Sequence, residues 1–89
     1  MELPYNLDAE KKVLANMLFS ENIFLDSFAR LKEDDFYDEK NKLIFKALQD
    51  IYKSTQRIKV EVSSLINQLS ISGNLEKAGD ASYIMEITE

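Results

Sequence analysis

Apolar side chains recur every three or four residues along most of the chain, and this spacing predicts helices that each bury one face. The first helix is predicted from an N-cap at Asn6 to about Ser20. Asp8 and Glu10 fall in its first turn, where carboxylates interact favourably with the helix dipole. The predicted buried face consists of Leu7, Val13, Leu14, Met17 and Leu18.

Two further helices are predicted in the middle of the chain. The shorter one covers residues 22–31, where Phe24, Phe28 and Leu31 follow the helical repeat. The longer one begins at a cap formed by Asp38 and ends near Ser54. Its apolar stripe is the widest in the sequence and consists of Leu43, Ile44, Ala47, Leu48, Ile51 and Tyr52.

The pattern changes at residues 58–62, where β-branched residues alternate with Lys59 and Glu61. Because one isolated strand has no partner, this segment is predicted to be an extended connector. A cap at Ser63 or Ser64 is then expected to begin a fourth helix, which points Leu65, Ile66 and Leu69 inward.

Both glycines of the chain lie close to its end. Gly73 is predicted to end the fourth helix with a positive φ. A single turn at residues 75–78 is expected next, and Gly79 breaks it. Asp80 then caps a last helix that carries Tyr83, Ile84 and Ile87.

These elements predict an all-α protein, a compact bundle of about five to six short helices that forms one domain over residues 1–89. A domain of this length buries about 60 to 65 per cent of its unfolded surface, which is enough for one modest core. That core is expected to include Leu14, Leu18, Phe28, Phe45, Leu48 and Leu69.

Composition narrows the chemistry that the chain can perform. It has no Cys and no His, so disulfides, thiolate chemistry and the commonest metal ligand are missing. The 11 basic and 16 acidic side chains give a net charge of −5, the opposite of a nucleic-acid-binding surface. With no signal peptide and no apolar run of membrane-spanning length, we expect a cytoplasmic protein.

Two charged segments suggest sites of their own. Five carboxylates occur within residues 33–39, a density that suggests a Mg²⁺ or Ca²⁺ site or an acid/base pair. We favour a solvated, capping role at a helix start, because the Gly and late Glu of a calcium loop are missing, and we expect Phe36 and Tyr37 to anchor this loop on the core. The second segment presents Lys40, Lys42, Lys46 and Lys53, which we interpret as a solvated helix face and not as a phosphate-binding one.

A third candidate is Ser27, within Leu25-Asp26-Ser27-Phe28. Acyl carrier proteins present Asp-Ser-Leu at a helix N-terminus, where the Ser is esterified by phosphopantetheine. Here Phe28 replaces the Leu, and Ser27 falls inside a predicted helix, so an ordinary exposed Ser is favoured over an acyl-carrier-like site.

Several short motifs occur in one order along the chain. They are Pro4, Ala9-Glu10, Asp35-Phe36-Tyr37, Ile44-Phe45-Lys46-Ala47, Gly73-Asn74-Leu75, Gly79 and Tyr83-Ile84. Together they resemble the N-terminal domain of bacterial replicative DNA helicases of the DnaB type, over roughly residues 3–89. The chain departs from that pattern at Asn41, where a His is common, at Asp80, where a second Gly is common, and in a longer connector at residues 54–62.

The resemblance implies a non-catalytic domain that acts in the N-terminal collar of a helicase hexamer and in contacts with primase or a helicase loader. ATP and Mg²⁺ would be bound by an ATPase domain elsewhere in the parent protein, because a phosphate-binding loop needs closely placed glycines and a Lys that this chain does not supply. The family domain normally continues into a two-helix hairpin, which we expect this chain to lack. No catalytic, cofactor-binding or metal-binding residue is predicted. The candidate partner-binding residues are the apolar ones that the predicted helix faces leave over: Ile23, Leu25, Ile71 and Met85.

Overall fold

The computed structural model describes residues 7–89. Within that range the chain forms five α-helices and one short 3₁₀-helix, with no strand. This confirms the predicted all-α bundle, whereas the predicted cap at Asn6 lies outside the described residues. The elements are α1 (Leu7–Phe19), α2 (Glu21–Arg30), the 3₁₀-helix Glu33–Asp35, α3 (Glu39–Thr55), α4 (Val62–Ile71) and α5 (Asp80–Ile87).

The longest helix, α3, lies at the centre of the bundle. It packs against α1, α4 and the 3₁₀-helix, while α1 also packs against α2 and α5, and α4 packs against α5. An aromatic cluster fills the side of the core where α2 meets α3. Its ring centroids are 4.8 Å apart for Phe24 and Phe28 and 5.0 Å apart for Phe36 and Phe45, the range in which aromatic pairs are favourable.

The predicted core is largely confirmed. Leu14, Phe45, Leu48 and Leu69 are fully buried, whereas Leu18 and Phe28 are half-buried and pack against the core from its edge. Leu7 was predicted to be buried, but 41% of it is exposed. The inward position of that first turn is occupied by the side chain of Glu10, which is completely buried.

The helix starts show which side chains act as caps. Asp38 caps α3 as predicted, since its Oδ1 accepts a hydrogen bond of 2.8 Å from the main-chain N–H of Lys40. Ser20 begins α2 in the same way, with Oγ 3.4 Å from the N–H of Ile23. The predicted cap at Ser63 or Ser64 is wrong, because α4 begins earlier, at Val62, and both serines lie inside it. Its N-cap is Glu61, whose side chain makes no capping hydrogen bond.

Gly73 ends α4 with φ of 78°, as predicted. The N–H of Asn74 donates to the carbonyl of Leu69, and the N–H of Gly73 donates to that of Ser70, the pair of bonds that defines a Schellman motif. Substitution at Gly73 would meet no neighbouring atom within 4 Å, so only its backbone conformation demands glycine.

The predicted cap at Asp80 is wrong by one residue. Gly79 is the N-cap of α5, with φ of 93°, and Asp80 is the first residue of the helix. Asp80 has φ of 65°, a left-handed conformation that favours glycine but that Asp tolerates better than most residues. The departure from the family pattern at Asp80 therefore places a non-glycine residue in a glycine conformation.

Candidate interaction surface

Acidic side chains of residues 33–39 bond to the main chain at the helix starts in this segment. Asp35 Oδ2 accepts a hydrogen bond of 2.7 Å from the N–H of Lys32, and Asp38 caps α3. Glu39 lies 3.8 Å from the amine of Lys42. Across the part of the chain that the structure describes, no three carboxylates come together to hold a metal ion. The contacts support the capping interpretation over the metal site.

A buried polar network joins α1 to the start of α3. Glu10 Oε2 accepts a hydrogen bond of 2.7 Å from the main-chain N–H of Tyr37. Its Oε1 accepts one of 2.8 Å from Asn41 Nδ2 and a longer one of 3.3 Å from the N–H of Asp38. The carboxylate thus satisfies three donors, and two of them are main-chain N–H groups, that of the N-cap Asp38 and that of Tyr37 just before it.

The same network reaches α5 through Tyr83. Its hydroxyl donates a hydrogen bond of 2.6 Å to Asn41 Oδ1, so both ends of the Asn41 amide are bonded. Lys11 also lies 3.3 Å from Glu86 Oε2, which adds an exposed ion pair between α1 and α5. Glu10 and Asn41 are both fully buried, so this network is a structural joint between three helices and not an open site.

Tyr83, at the edge of this joint, has a raised pKa. Burial raises the pKa of Tyr83 from 10.0 to about 12, and the negative charge of Asp38 adds to the effect. Two ammonium groups lie over the ring, those of Lys40 at 4.9 Å and Lys11 at 5.6 Å from its centroid. At neutral pH the phenol is therefore protonated and acts as the donor in its bond to Asn41.

The main chain at Gly79 lies very close to the side chain of Tyr83. A Cβ atom added to Gly79 would lie 2.6 Å from the Cβ of Tyr83, closer than side chains pack. Glycine is therefore required at residue 79 both for its positive φ and for the space beside Tyr83.

The residues predicted to bind partners are all exposed, but they lie on different helices. Ile23 and Leu25 are on α2 and are each 39% exposed, whereas Ile71 ends α4 and Met85 lies on α5. Because α2 packs mainly on α1 while α4 packs on α3 and α5, the four residues fall into two pairs, Ile23 with Leu25 on α2 and Ile71 with Met85 on α4 and α5. Sequence reasoning missed two further exposed aromatic residues, Phe19 at the end of α1 and Tyr37.

The prediction that Tyr37 anchors its loop on the core is therefore wrong for its side chain, which is 60% exposed. Phe36 is fully buried, as predicted. The main chain of Tyr37 is still held, because its N–H donates to Glu10. Of the two neighbouring rings, one supports the core and the other is left on the surface.

Ser27 is buried, which corrects the expectation of an exposed side chain. It lies in the interior of α2 and contributes to a shallow groove of about 190 Å³ between α1 and α2, together with Ile23 and Arg30. A phosphopantetheine attachment site needs an accessible hydroxyl at a helix start. The acyl-carrier alternative is not supported by this geometry.

Nearly the whole chain resembles one family of known proteins. The sequence model of the DnaB-like helicase N terminal domain matches residues 2–89. The chain belongs to this DnaB-like family. Among its relatives are proteins named Replicative DNA helicase DnaB from Leifsonia xyli, 28% identical over 85 residues, and from Mycobacterium leprae, 30% identical over 81 residues. These alignments cover 96% and 91% of this chain but only 18% and 13% of the relatives.

A solved structure supports the same assignment for the fold. The crystal structure of the N-terminal domain of DnaB helicase from Mycobacterium tuberculosis matches with a TM-score of 0.85 and 28% identity. The match covers 96% of this chain and 59% of that one. In sequence, the chain spans less than a fifth of the length of its curated relatives.

The motifs that carry the resemblance meet in the structural joint of this DnaB-like domain. Glu10, the loop that contains Tyr37, and Tyr83 come from three separate motifs. Asn41 links Glu10 to Tyr83 by hydrogen bonds, and Glu10 itself accepts from the N–H of Tyr37. Their roles are to hold α1, α3 and α5 together. In the described range no helix is long and apolar enough to cross a membrane.

Proposed function

We propose that this domain is a non-catalytic assembly and partner-binding module of a replicative DNA helicase, an enzyme that unwinds duplex DNA at the replication fork. The observation that supports it best is the family match, which extends over residues 2–89. In this role the domain acts in the N-terminal collar of the hexamer and in contacts with primase or a helicase loader. A role at the replication fork also implies a cytoplasmic location.

The catalytic part of the helicase, with its ATP and Mg²⁺, is assigned to a different domain. The chain's two glycines, at 73 and 79, both serve as positive-φ positions at helix ends, and neither is followed by the Lys of a phosphate-binding loop. The net charge of −5 gives no basis for strong binding of single-stranded DNA. The proposed work of this domain is therefore contact with other proteins.

Exposed apolar side chains are the features that suit such contacts. The residues that contribute most to protein interfaces are those that become well packed and lose their water on binding. The pair on the α4 and α5 side, Ile71 and Met85, is 73% and 58% exposed. The pair on α2, Ile23 and Leu25, is less exposed, and Ile23 lines the shallow groove described above. We infer that at least one residue of these two pairs contacts a partner.

A calorimetric titration of the 89-residue chain with the primase of the same source organism tests the proposal. The double variants Ile71→Ser/Met85→Ser and Ile23→Ser/Leu25→Ser test the two pairs separately, and Lys77→Ser is the control on an exposed polar residue. We expect saturable binding by the unaltered chain and a loss of about tenfold or more in affinity for one double variant, a change of about 1.4 kcal/mol. The same titration is repeated with the helicase loader, and absence of binding to both primase and loader, or equal binding by all variants, would contradict the proposal.

A further inference from the structure

Basic and acidic side chains are unevenly distributed along the chain. Residues 51–75 include three basic side chains and one acidic one, a net charge of +2, whereas the whole chain carries −5. In the structure these residues form the end of α3, the connector at residues 56–61, α4 and the turn that follows it. This side of an otherwise acidic domain is therefore positive and attracts negatively charged groups.

Two of the basic side chains border an open cleft on this side of the domain. The cleft has a volume of about 770 Å³ and lies between the end of α3, the connector and α4. Arg57 and Lys59 line it, both are exposed, and neither forms an ion pair with another described residue. Of the described residues at its wall, Glu61 alone carries a carboxylate. Two cations against one carboxylate leave the cleft positive.

The α4 wall of the cleft is polar without being charged. Ser64, Asn67 and Gln68 line it, and no residue of α4 carries a charge. Amide and hydroxyl groups both donate and accept hydrogen bonds, so they can pair with the main chain of a bound peptide. The centres of protein interfaces are depleted of charged residues, and α4 shares this composition.

A peptide with carboxylate side chains suits this cleft better than a nucleic acid does. Single strands are bound by basic grooves in which aromatic rings stack on the bases. None of the described residues that line the cleft is aromatic, and Glu61 would repel a phosphate backbone. An arginine pairs with a carboxylate through two parallel hydrogen bonds, and a lysine pairs with it as a point charge.

We propose that this cleft binds an acidic peptide segment of a partner protein. Carboxylates of the segment pair with Arg57 and Lys59, and its main chain bonds to Asn67 and Gln68. The inference deepens the partner-binding role proposed above and rests on it. Exposed ion pairs contribute more to selectivity and to the rate of encounter than to affinity, so the apolar contacts remain the larger source of affinity.

One partner can reach both kinds of contact. Ser64 borders the cleft near the start of α4, and Ile71 ends the same helix. The two residues are about 10 Å apart along the helix axis, since an α-helix rises about 1.5 Å per residue. A partner that packs on Ile71 therefore needs only a short acidic segment to occupy the cleft.

Capped decapeptides are suitable probes, because they separate the charge chemistry from any one partner. In the first peptide Asp and Gly alternate, and in the second Asn replaces every Asp. Amide NMR titrations of the 89-residue chain at low salt follow the binding of each peptide. We expect saturable shifts centred on residues 54–68 with the Asp peptide, which weaken as salt screens the charges. The Asn peptide should bind about tenfold more weakly or less.

Reversal of the two cations tests whether they attract the peptide. Arg57→Glu/Lys59→Glu should weaken binding of the Asp peptide about tenfold or more. The matched control is Lys12→Glu/Lys77→Glu, which makes the same change in net charge at exposed positions outside the cleft and should weaken binding about twofold at most. Circular dichroism confirms that each variant is folded.

Removal of the opposing carboxylate tests the same cleft in the other direction. Glu61→Gln should strengthen binding of the Asp peptide about threefold, because it removes a like charge from the cleft wall. Glu76→Gln makes the same change in net charge at an exposed position outside the cleft and should have little effect.

Several results would overturn the proposal: equal binding of the two peptides, equal losses in the cleft and control variants, or no shifts at millimolar peptide. Tighter binding of a ten-nucleotide oligothymidylate than of the Asp peptide would identify the cleft as a nucleic-acid surface instead. The Ile71→Ser/Met85→Ser variant should bind the Asp peptide like the unaltered chain, because both residues lie outside the cleft. The peptide and primase titrations can therefore fail independently.

Discussion

Removal of the Glu10 carboxylate should destabilise the domain far more than removal of an ordinary surface carboxylate. Three donors converge on it: the N–H of Tyr37 at 2.7 Å, Asn41 Nδ2 at 2.8 Å and the N–H of Asp38 at 3.3 Å. A buried donor that loses its acceptor costs about 1 to 3 kcal/mol. Glu10→Ala should therefore cost about 3 to 5 kcal/mol, since water or local movement can satisfy part of the lost bonding.

The amide variant Glu10→Gln should cost less, about 1.5 to 3 kcal/mol. If the Asn41 side-chain amide flips by 180°, its oxygen accepts from the new Gln amide NH₂ and its nitrogen donates to the hydroxyl oxygen of Tyr83. The carbonyl oxygen of the Gln then accepts from the N–H of Tyr37, while the N–H of Asp38 and the half-buried hydroxyl of Tyr83 lose their acceptors. The order of stability expected is the unaltered chain, then Glu10→Gln, then Glu10→Ala.

Equilibrium unfolding in urea measures these differences. For a small domain the larger loss corresponds to a shift of about 1 to 3 M in the unfolding midpoint. Glu76→Ala is the control, because Glu76 is exposed and should shift the midpoint little. A Glu10→Ala midpoint that coincides with the Glu76→Ala midpoint would refute the assignment of Glu10 to a buried joint.

Four further perturbations follow from the geometry. Phe45→Ala should cost about 3 to 5 kcal/mol in urea unfolding, because the ring is fully buried; a change below about 1 kcal/mol would show that the core is wrongly assigned. Gly79→Ala should cost clearly more than Gly73→Ala, since both have positive φ but only residue 79 has a neighbour 2.6 Å from the added Cβ; equal losses would contradict the close approach. Gln56→Gly should raise stability by about 1 kcal/mol, because residue 56 ends α3 with φ of 60°; a lower melting temperature would count against this. Burial raises the pKa of Tyr83 to about 12, against 10.0 in the unfolded chain, so the folded state retains the phenol proton to higher pH. The stability that this contributes is present below pH 10 and is lost as the pH rises towards 12. The difference in stability between the unaltered chain and Tyr83→Phe should therefore narrow between pH 10 and 12, and a constant difference would contradict this.

Helix positions could be predicted from the sequence because apolar residues at the helical repeat form the buried face of each helix. The predicted start of α3 at Asp38 and its end near Ser54 agree with the observed Glu39–Thr55 to within a residue, since a cap and a long apolar stripe act together there. The start of α4 was missed because two serines look like caps. The half-buried Val62 extends the helix to the connector instead, and Glu61 begins it without a capping bond.

The buried polar joint was not predicted, although its signal was present. Glu10 precedes Leu14 and Met17 by four and seven residues, and Asn41 precedes Phe45 and Leu48 by the same intervals, so both polar residues lie on apolar stripes. Glu10 was explained from the sequence only by its favourable interaction with the dipole of its own helix. That argument considers one helix alone, whereas the acceptor is needed by the start of another helix, and such a partnership depends on tertiary packing.

Candidate partner-binding residues could be named from the sequence only as the remainder of the apolar residues. That reasoning identified Ile71 and Met85, which are exposed, but it missed Phe19, which is 68% exposed at the end of α1. A residue at a helix end can follow the apolar repeat and still project past its neighbours. Exposure at such positions is set by where the adjoining helices end.

The central claim is that the residues which carry the family resemblance hold the fold, while partner contact belongs to the exposed apolar side chains. The most direct test compares the affinity of the Glu10→Gln variant and the Ile71→Ser/Met85→Ser variant for primase, in calorimetric titrations at a temperature where both are fully folded. The account predicts that Glu10→Gln binds like the unaltered chain and that the exposed-residue variant, or its counterpart on α2, binds about tenfold more weakly. A folded Glu10→Gln variant that loses primase binding, while both exposed-residue variants retain it, would contradict the account.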